Sequence, residues 1–139
     1  MPIAKKIDHV AIAVKDLEAA VQTFTGNFGF PVARHGDMPQ LHMRMAFLPV
    51  GDAQLELFQP TSDKNPATTF LTERGEGMYL LSLEVEDLAA AAAVLSQKGI
   101  RVTIQQVENG SRLAFISPKS THGVLLQLIE HPGRGQAHG

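Results

Sequence analysis

Chemistry in this chain has to come from a short list of side chains. Cysteine is absent, which removes thiolate nucleophiles, disulfides and Cys-ligated zinc together. Imidazoles, carboxylates, amides, guanidiniums and amines remain. His9 and Glu56 are a titratable pair that can move a proton if the fold brings them together. Gln127 carries an amide, which does not titrate near neutral pH and supplies no charge. Arg44 and Arg112 stand in matching strings, Arg44-Met45-Ala46-Phe47 and Arg112-Leu113-Ala114-Phe115. Two guanidiniums so placed would hold a carboxylate or a phosphate through paired N–H donors. Lys119, in Lys119-Ser120-Thr121-His122, would add a phosphate contact from a loop.

The elements that must position these groups come from an internal duplication. Residues 8–21 and 79–92 both run from alternating aliphatics through Val-x-Asp-Leu into an Ala-rich stretch. Asp16 and Asp87 are 71 positions apart, and so are Leu55-Glu56-Leu57 and Leu126-Gln127-Leu128. Three matches in one order indicate a repeat, and each half parses as strand, helix, strand, strand, strand. The first half predicts strands over 7–14, 32–35, 42–48 and 54–58, and a helix capped by Asp16 and stopped at Gly26 or Gly29. The second predicts strands over 78–85, 101–107, 112–116 and 124–129, with a helix from Asp87 to Gly99. The expected organisation is therefore a first module over 1–60, a linker with a short helix over 61–77, a second module over 78–131 and a flexible tail over 132–139.

Alternation along a strand then sorts the side chains. Val10, Ile12 and Val14 should pack under a helix, with His9, Ala11 and Ala13 opposite; Leu55 and Leu57 take the core face, leaving Glu56 opposite. The repeat places Leu80 and Gln127 at the same positions of the second half. Arg44 and Arg112 alternate with bulky apolar residues, so they are expected to point away from the core, either into a cavity or into solvent. His35, His42, His131 and His138 are expected to be exposed, and Met38, Met43 and Met45 to fill core.

Composition bounds the function. At 139 residues, 44% hydrophobic and 19% charged, the chain is an ordinary soluble α+β domain. Its 12 basic and 14 acidic residues give no electrostatic reason to expect nucleic acid or an anionic membrane. No apolar run approaches the roughly 20 residues of a bilayer span. Residues 1–8 contain no signal-peptide core, so the expected location is cytoplasmic.

Four strings together resemble a known family. They are Asp8-His9-Val10-Ala11-Ile12-Ala13-Val14, Leu55-Glu56-Leu57-Phe58-Gln59-Pro60, Phe70-Leu71-Thr72-Glu73-Arg74-Gly75-Glu76-Gly77 and Pro118-Lys119-Ser120-Thr121-His122-Gly123-Val124-Leu125-Leu126-Gln127-Leu128. The pattern is similar to the vicinal oxygen chelate superfamily of glyoxalases, bleomycin-resistance proteins and dioxygenases, and most to its methylmalonyl-CoA epimerase branch. The resemblance implies two tandem βαβββ modules forming a curved mixed sheet around a central cavity, and a homodimer. It also implies four divalent-metal positions, which here are His9, Glu56, Leu80 and Gln127.

Two of those positions depart from the family. Leucine stands at 80 where the family has histidine, and an amide at 127 where it usually has glutamate. A metal (Co, Mn, Mg, Ni or Zn) would therefore be held weakly or not at all, by His9, Glu56 and the Gln127 carbonyl. The branch also implies proton removal next to a thioester carbonyl by two flanking bases. Its base positions hold Gln127 and Arg44 here.

Three readings follow. The first is an epimerase- or isomerase-like enzyme on an acyl-CoA or small oxo acid, with Glu56 and His9 as the catalytic pair. The second is a metal-free binding module for an acidic or CoA-linked small molecule, held by Arg44, Arg112, Gln127 and Lys119. The third is another lyase or hydrolase on the same scaffold, with Glu56 as base and His9 as its partner. His9 and Glu56 equally suit a plain strand histidine and a paired carboxylate, and His122 is a potential replacement ligand.

Overall fold

The structure is a computed structural model that describes residues 2–106 and 110–133. The tail from 134 on, His138 and the last residue of the strand expected over 101–107 lie outside those residues. The fold is α+β and runs twice through strand, helix, strand, strand, strand.

The first module comprises β1 (Ala4–Ala13), α1 (Leu17–Phe28), β2 (Arg34–Met38), β3 (Met43–Val50) and β4 (Ala53–Pro60). Its strands are ordered β2-β3-β4-β1, with β1 parallel to β4 and the other pairs antiparallel. α2 (Ala67–Arg74) follows; Asn65 accepts from the Ala67 amide at 2.8 Å. The second module comprises β5 (Gly77–Val85), α3 (Leu88–Gln97), β6 (Thr103–Gln106), β7 (Arg112–Ile116) and β8 (Leu126–Glu130). Its order is β5-β8-β7-β6, again with the first and last strands parallel. By contacts, residues 9–79 form one compact unit, and residues up to 8 together with those from 80 onward form the other.

The duplication extends to individual hydrogen bonds. Asp16 and Asp87 cap their helices with the same backbone, φ −138° and ψ 104°, and accept from the amides of Ala19 and Ala90 at 3.2 and 3.0 Å. Such a cap is worth about 1 kcal/mol. The first amide of each helix has a second device. Leu17 N–H donates to Gln59 Oε1 at 2.9 Å, and Leu88 N–H donates to Glu130 Oε1 at 2.8 Å. Gln59 and Glu130 end their modules' last strands, so each satisfies an orphan amide and ties the helix to the sheet. α1 runs through Gly26 and stops at Gly29, whose φ of 74° suits glycine.

Each helix covers one face of its own strands. Val14, Leu17, Ala46, Leu48 and Leu57 form the first core, with Ile12, Val21, Phe24 and Leu55 against it. Val85, Leu88, Ala91, Ala114, Ile116 and Leu128 form the second, joined by Ala4 from the start of β1. β2 begins two residues later than expected, its pairing with β3 starting where Ala33 N–H donates to Phe47 O. Among the described residues no helix is long and apolar enough to cross a membrane.

Candidate functional site

The face away from α1 carries the titratable pair. Register places Ala11 on one side of Glu56 and Phe47 on the other, so His9, Glu56 and Phe47 share that face. His9 Nε2 lies 3.4 Å from Glu56 Oε1, and the two residues are 5% and 8% exposed. Phe47 meets the imidazole edge-on, with ring centroids 5.5 Å apart. A buried carboxylate beside an imidazole can accept a proton and share its charge with the neighbouring ring. Arg34, opposite Phe47 on β2, lays its guanidinium over the Phe47 ring at 4.7 Å and brings a cation to the same face.

In the second module the equivalent face reads differently. Leu80 is buried, and Ser82 and Phe115 flank Gln127 in the register that Ala11 and Phe47 take around Glu56. Ser82 Oγ donates to Gln127 Oε1 at 2.6 Å, and both residues are buried. That length is typical of O–H···O and short for N–H···O, which agrees with the carbonyl facing the serine.

The arginines do not join these faces. Arg44 shares its strand face with Ala46 and Leu48, which pack under α1, and its guanidinium pairs with Glu18 of that helix and with Asp37 at 3.2 Å. The hydrogen bond from Arg44 holds the Glu18 carboxyl below its ordinary 4.5, and Glu18 in turn raises the guanidinium's pKa. Arg112 shares its strand face with Ala114 and Ile116 of the α3 core and sits opposite Glu130. The direction that the sequence left open, a cavity or solvent, is for both arginines the helix side of the strands. The small alanines fit under the helices, while the bulky Met45, Phe47, Leu113 and Phe115 occupy the other face. A pocket of about 670 Å³ opens on the α1 side, lined among others by Leu17, Val21, Val32, His35 and Arg44, and neither His9 nor Glu56 lines it. Lys119 is exposed in the 3-10 turn Pro118–Ser120, and His122 is exposed with φ 58°.

Neither module by itself offers a complete metal site. The first module offers an imidazole and a carboxylate; the second offers a leucine and an amide whose carbonyl already accepts a hydroxyl. Asp8, Glu84 and His131 form a group that the sequence reading missed, with potential ligand atoms within 4.8 Å of one another. His131, 23% exposed rather than fully so, lies with its Nε2 2.6 Å from Asp8 Oδ1. Lys5 and Lys6 reach Glu84 at 3.8 and 4.0 Å and already supply countercharge there. Arg34 and Ser82 were also missed, although Ser82 is the one polar residue in the run Tyr79–Leu83 and signals its position.

Comparison with known proteins agrees with this architecture. The profile described as the Glyoxalase/Bleomycin resistance protein/Dioxygenase superfamily matches residues 8–115. The human mitochondrial methylmalonyl-CoA epimerase is 32% identical over 127 residues, covering 88% of this chain and 72% of the human one. The crystal structure of methylmalonyl-CoA epimerase from Mycobacterium tuberculosis superposes with a TM-score of 0.88 at 31% identity, covering 99% of this chain and 95% of that one. A Streptomyces coelicolor methylmalonyl-CoA epimerase variant in complex with 2-nitronate-propionyl-CoA gives a TM-score of 0.84 at 31% identity, covering 93% of this chain and 99% of that one.

Proposed function

This chain belongs to the Glyoxalase/Bleomycin resistance protein/Dioxygenase superfamily, and on that premise we propose that it acts on an acyl-CoA or a small oxo acid by moving a proton next to a carbonyl. The observation that carries this reading is the buried His9–Glu56 pair, 3.4 Å apart on the helix-free face. The similarity to methylmalonyl-CoA epimerases, one of them bound to an acyl-CoA analogue, supports the substrate class.

In this mechanism Glu56 takes the proton from the carbon beside the carbonyl, and the electron pair moves onto the carbonyl oxygen. Glu56, now neutral, passes the proton to His9 Nε2; the imidazolium exchanges it with solvent, and a proton returns through Glu56 to the carbon as the electron pair leaves the carbonyl oxygen, with Phe47 meeting the imidazole edge-on. Positioned acid–base groups of this kind contribute on the order of 10²–10⁴ in rate. Arg34 supplies the cation for an acidic group of the substrate, a role the sequence had assigned to Arg44 and Arg112. A single base returns the proton to the face it left, so exchange of the proton is faster than inversion at carbon. A divalent ion, whether Co, Mn, Mg, Ni or Zn, binds weakly for want of charged donors. The reading includes a cytoplasmic homodimer, with the outer strands β2 and β6 as open edges.

A second reading, a metal-free binding module, is favoured by Leu80 and by the capped, non-titrating Gln127. One experiment separates the two. Methylmalonyl-CoA incubated with the protein in deuterated water should acquire deuterium at the carbon between its carbonyls, and Glu56→Gln should abolish this. No exchange above background, with or without added Mn or Co, removes the catalytic reading and leaves the binding one.

A further inference from the structure

We infer that Gln127 is a ligand-binding hydrogen-bond donor, so that the second module meets an acceptor oxygen of the ligand's acyl group with N–H rather than with a base or a metal ligand. Gln127 is 8% exposed, and its one hydrogen bond is accepted by its carbonyl, from Ser82 Oγ at 2.6 Å. That bond fixes the orientation of the amide. With Oε1 committed to the serine, the two N–H groups of Nε2 point away from it and meet no acceptor among the described residues. Nε2 is not sealed from solvent, so water or a ligand completes it. The neighbours explain why the protein does not. Leu80 offers no acceptor, and Phe115, directly opposite on β7, offers only a ring.

The polarity of the position is thereby inverted. A carboxylate at 127 would accept and carry negative charge, which suits a cation; a serine-pinned amide donates and is neutral, which suits a carboxylate or a carbonyl oxygen. Ser82 is what makes the difference specific. Its repeat mate Ala11, opposite Glu56, has no hydroxyl and leaves that carboxylate to His9. Ser82 is accordingly a positioning residue, acting through Gln127.

The inference rests on the acyl-CoA reading for its ligand, and its test keeps the two separable. Binding of methylmalonyl-CoA and of propionyl-CoA, which lacks the free carboxylate, is measured calorimetrically with EDTA throughout, for the wild type, Gln127→Met, Gln127→Glu and Ser82→Ala. Gln127→Met should weaken binding about tenfold, the value of one well-placed hydrogen bond. Gln127→Glu should weaken it further, because it sets like charge against the ligand. Ser82→Ala should give a smaller loss, since the amide can then rotate, and thermal melts establish that each variant folds. A loss confined to methylmalonyl-CoA assigns the carboxylate as acceptor, and a loss for both assigns the thioester carbonyl. Wild-type binding with unchanged affinity in Gln127→Met, or tighter binding in Gln127→Glu, overturns the inference alone. If the wild type binds neither ester, the acyl-CoA reading falls. The side-chain ¹⁵N–¹H signals of Gln127, identified by their loss in Gln127→Met, then decide: a shift on adding sodium malonate sustains the donor, and no shift overturns it.

Discussion

In the first module the parallel pair β1–β4 presents His9, Ala11 and Glu56 on its helix-free face; in the second, β5–β8 presents Leu80, Ser82 and Gln127 in the same register. Around these triplets the modules are near copies, with the same aspartate caps, the same strand-end side chain on the first helical amide and the same phenylalanine opposite the polar group of the last strand. Both triplets also satisfy their buried carbonyl or carboxylate oxygen, one with an imidazole at 3.4 Å and the other with a hydroxyl at 2.6 Å. The difference teaches that titratability is separable from the scaffold. Changing three side chains keeps a partner on the buried oxygen while removing every ionisable group from the triplet.

The comparison can be erased or inverted. The largest effect is expected from giving the second module the first module's chemistry: Leu80→His with Gln127→Glu should raise affinity for Mn or Co by about 100-fold from a wild-type Kd on the order of 10⁻⁴ M or weaker. Metal titration by electron paramagnetic resonance reads this, and unchanged affinity would mean that the Leu80 position is not oriented to ligate. The reverse conversion is a stability test. His9→Leu alone deprives the buried Glu56 carboxylate of its imidazole and should cost about 3 kcal/mol. The triple variant His9→Leu, Ala11→Ser and Glu56→Gln, which copies the second module, should recover to within about 1 kcal/mol of the wild type. Urea unfolding midpoints check both, and a triple variant no more stable than the single one would contradict interchangeability.

The smallest effect lies on the helix faces. Glu18 of α1 pairs with Arg44, whereas its repeat mate on α3 is Ala89, so only the first module carries this strand-to-helix ion pair. Because Arg44 lowers the Glu18 pKa in the folded state, the pair stabilises the fold above pH 4.5 and loses that contribution as the pH falls below it. Both groups are solvent-screened, so the change in stability is slight. In a carboxyl NMR titration, Arg44→Ala should move Glu18 back up toward 4.5, while Arg112→Ala should leave it where it is.

Much of this fold was legible in the residues. The 71-residue offset, the two aspartate caps and the alternation on β1, β4, β5 and β8 all follow from local pattern, and they placed His9, Glu56, Leu80 and Gln127 on the helix-free faces of their own modules. On β3 and β7 alternation set Arg44 and Arg112 opposite Phe47 and Phe115, but it could not say which side faces the helix, because apolar residues stand on both faces. There, residue size rather than polarity separates the sides: Ala46 and Ala114 lie under the helices, where little space remains, while Phe47 and Phe115 line the polar face. Ser82 was passed over because the worth of its hydroxyl depends on the β5–β8 register, which is a tertiary fact. The Asp8–His131 contact spans 123 positions and has no local signal at all.

The opening strand bears on how the chain would respond to being cut. Residues 4–8 pack with the second unit, and Ala4 touches its core, yet they stay covalently attached to the first. A protease that nicked the segment between α2 and β5 would therefore not free two independent fragments. The carboxy-terminal piece would keep residues 4–8 only by holding on to the amino-terminal one, so the nicked protein should travel as one particle through a gel-filtration column.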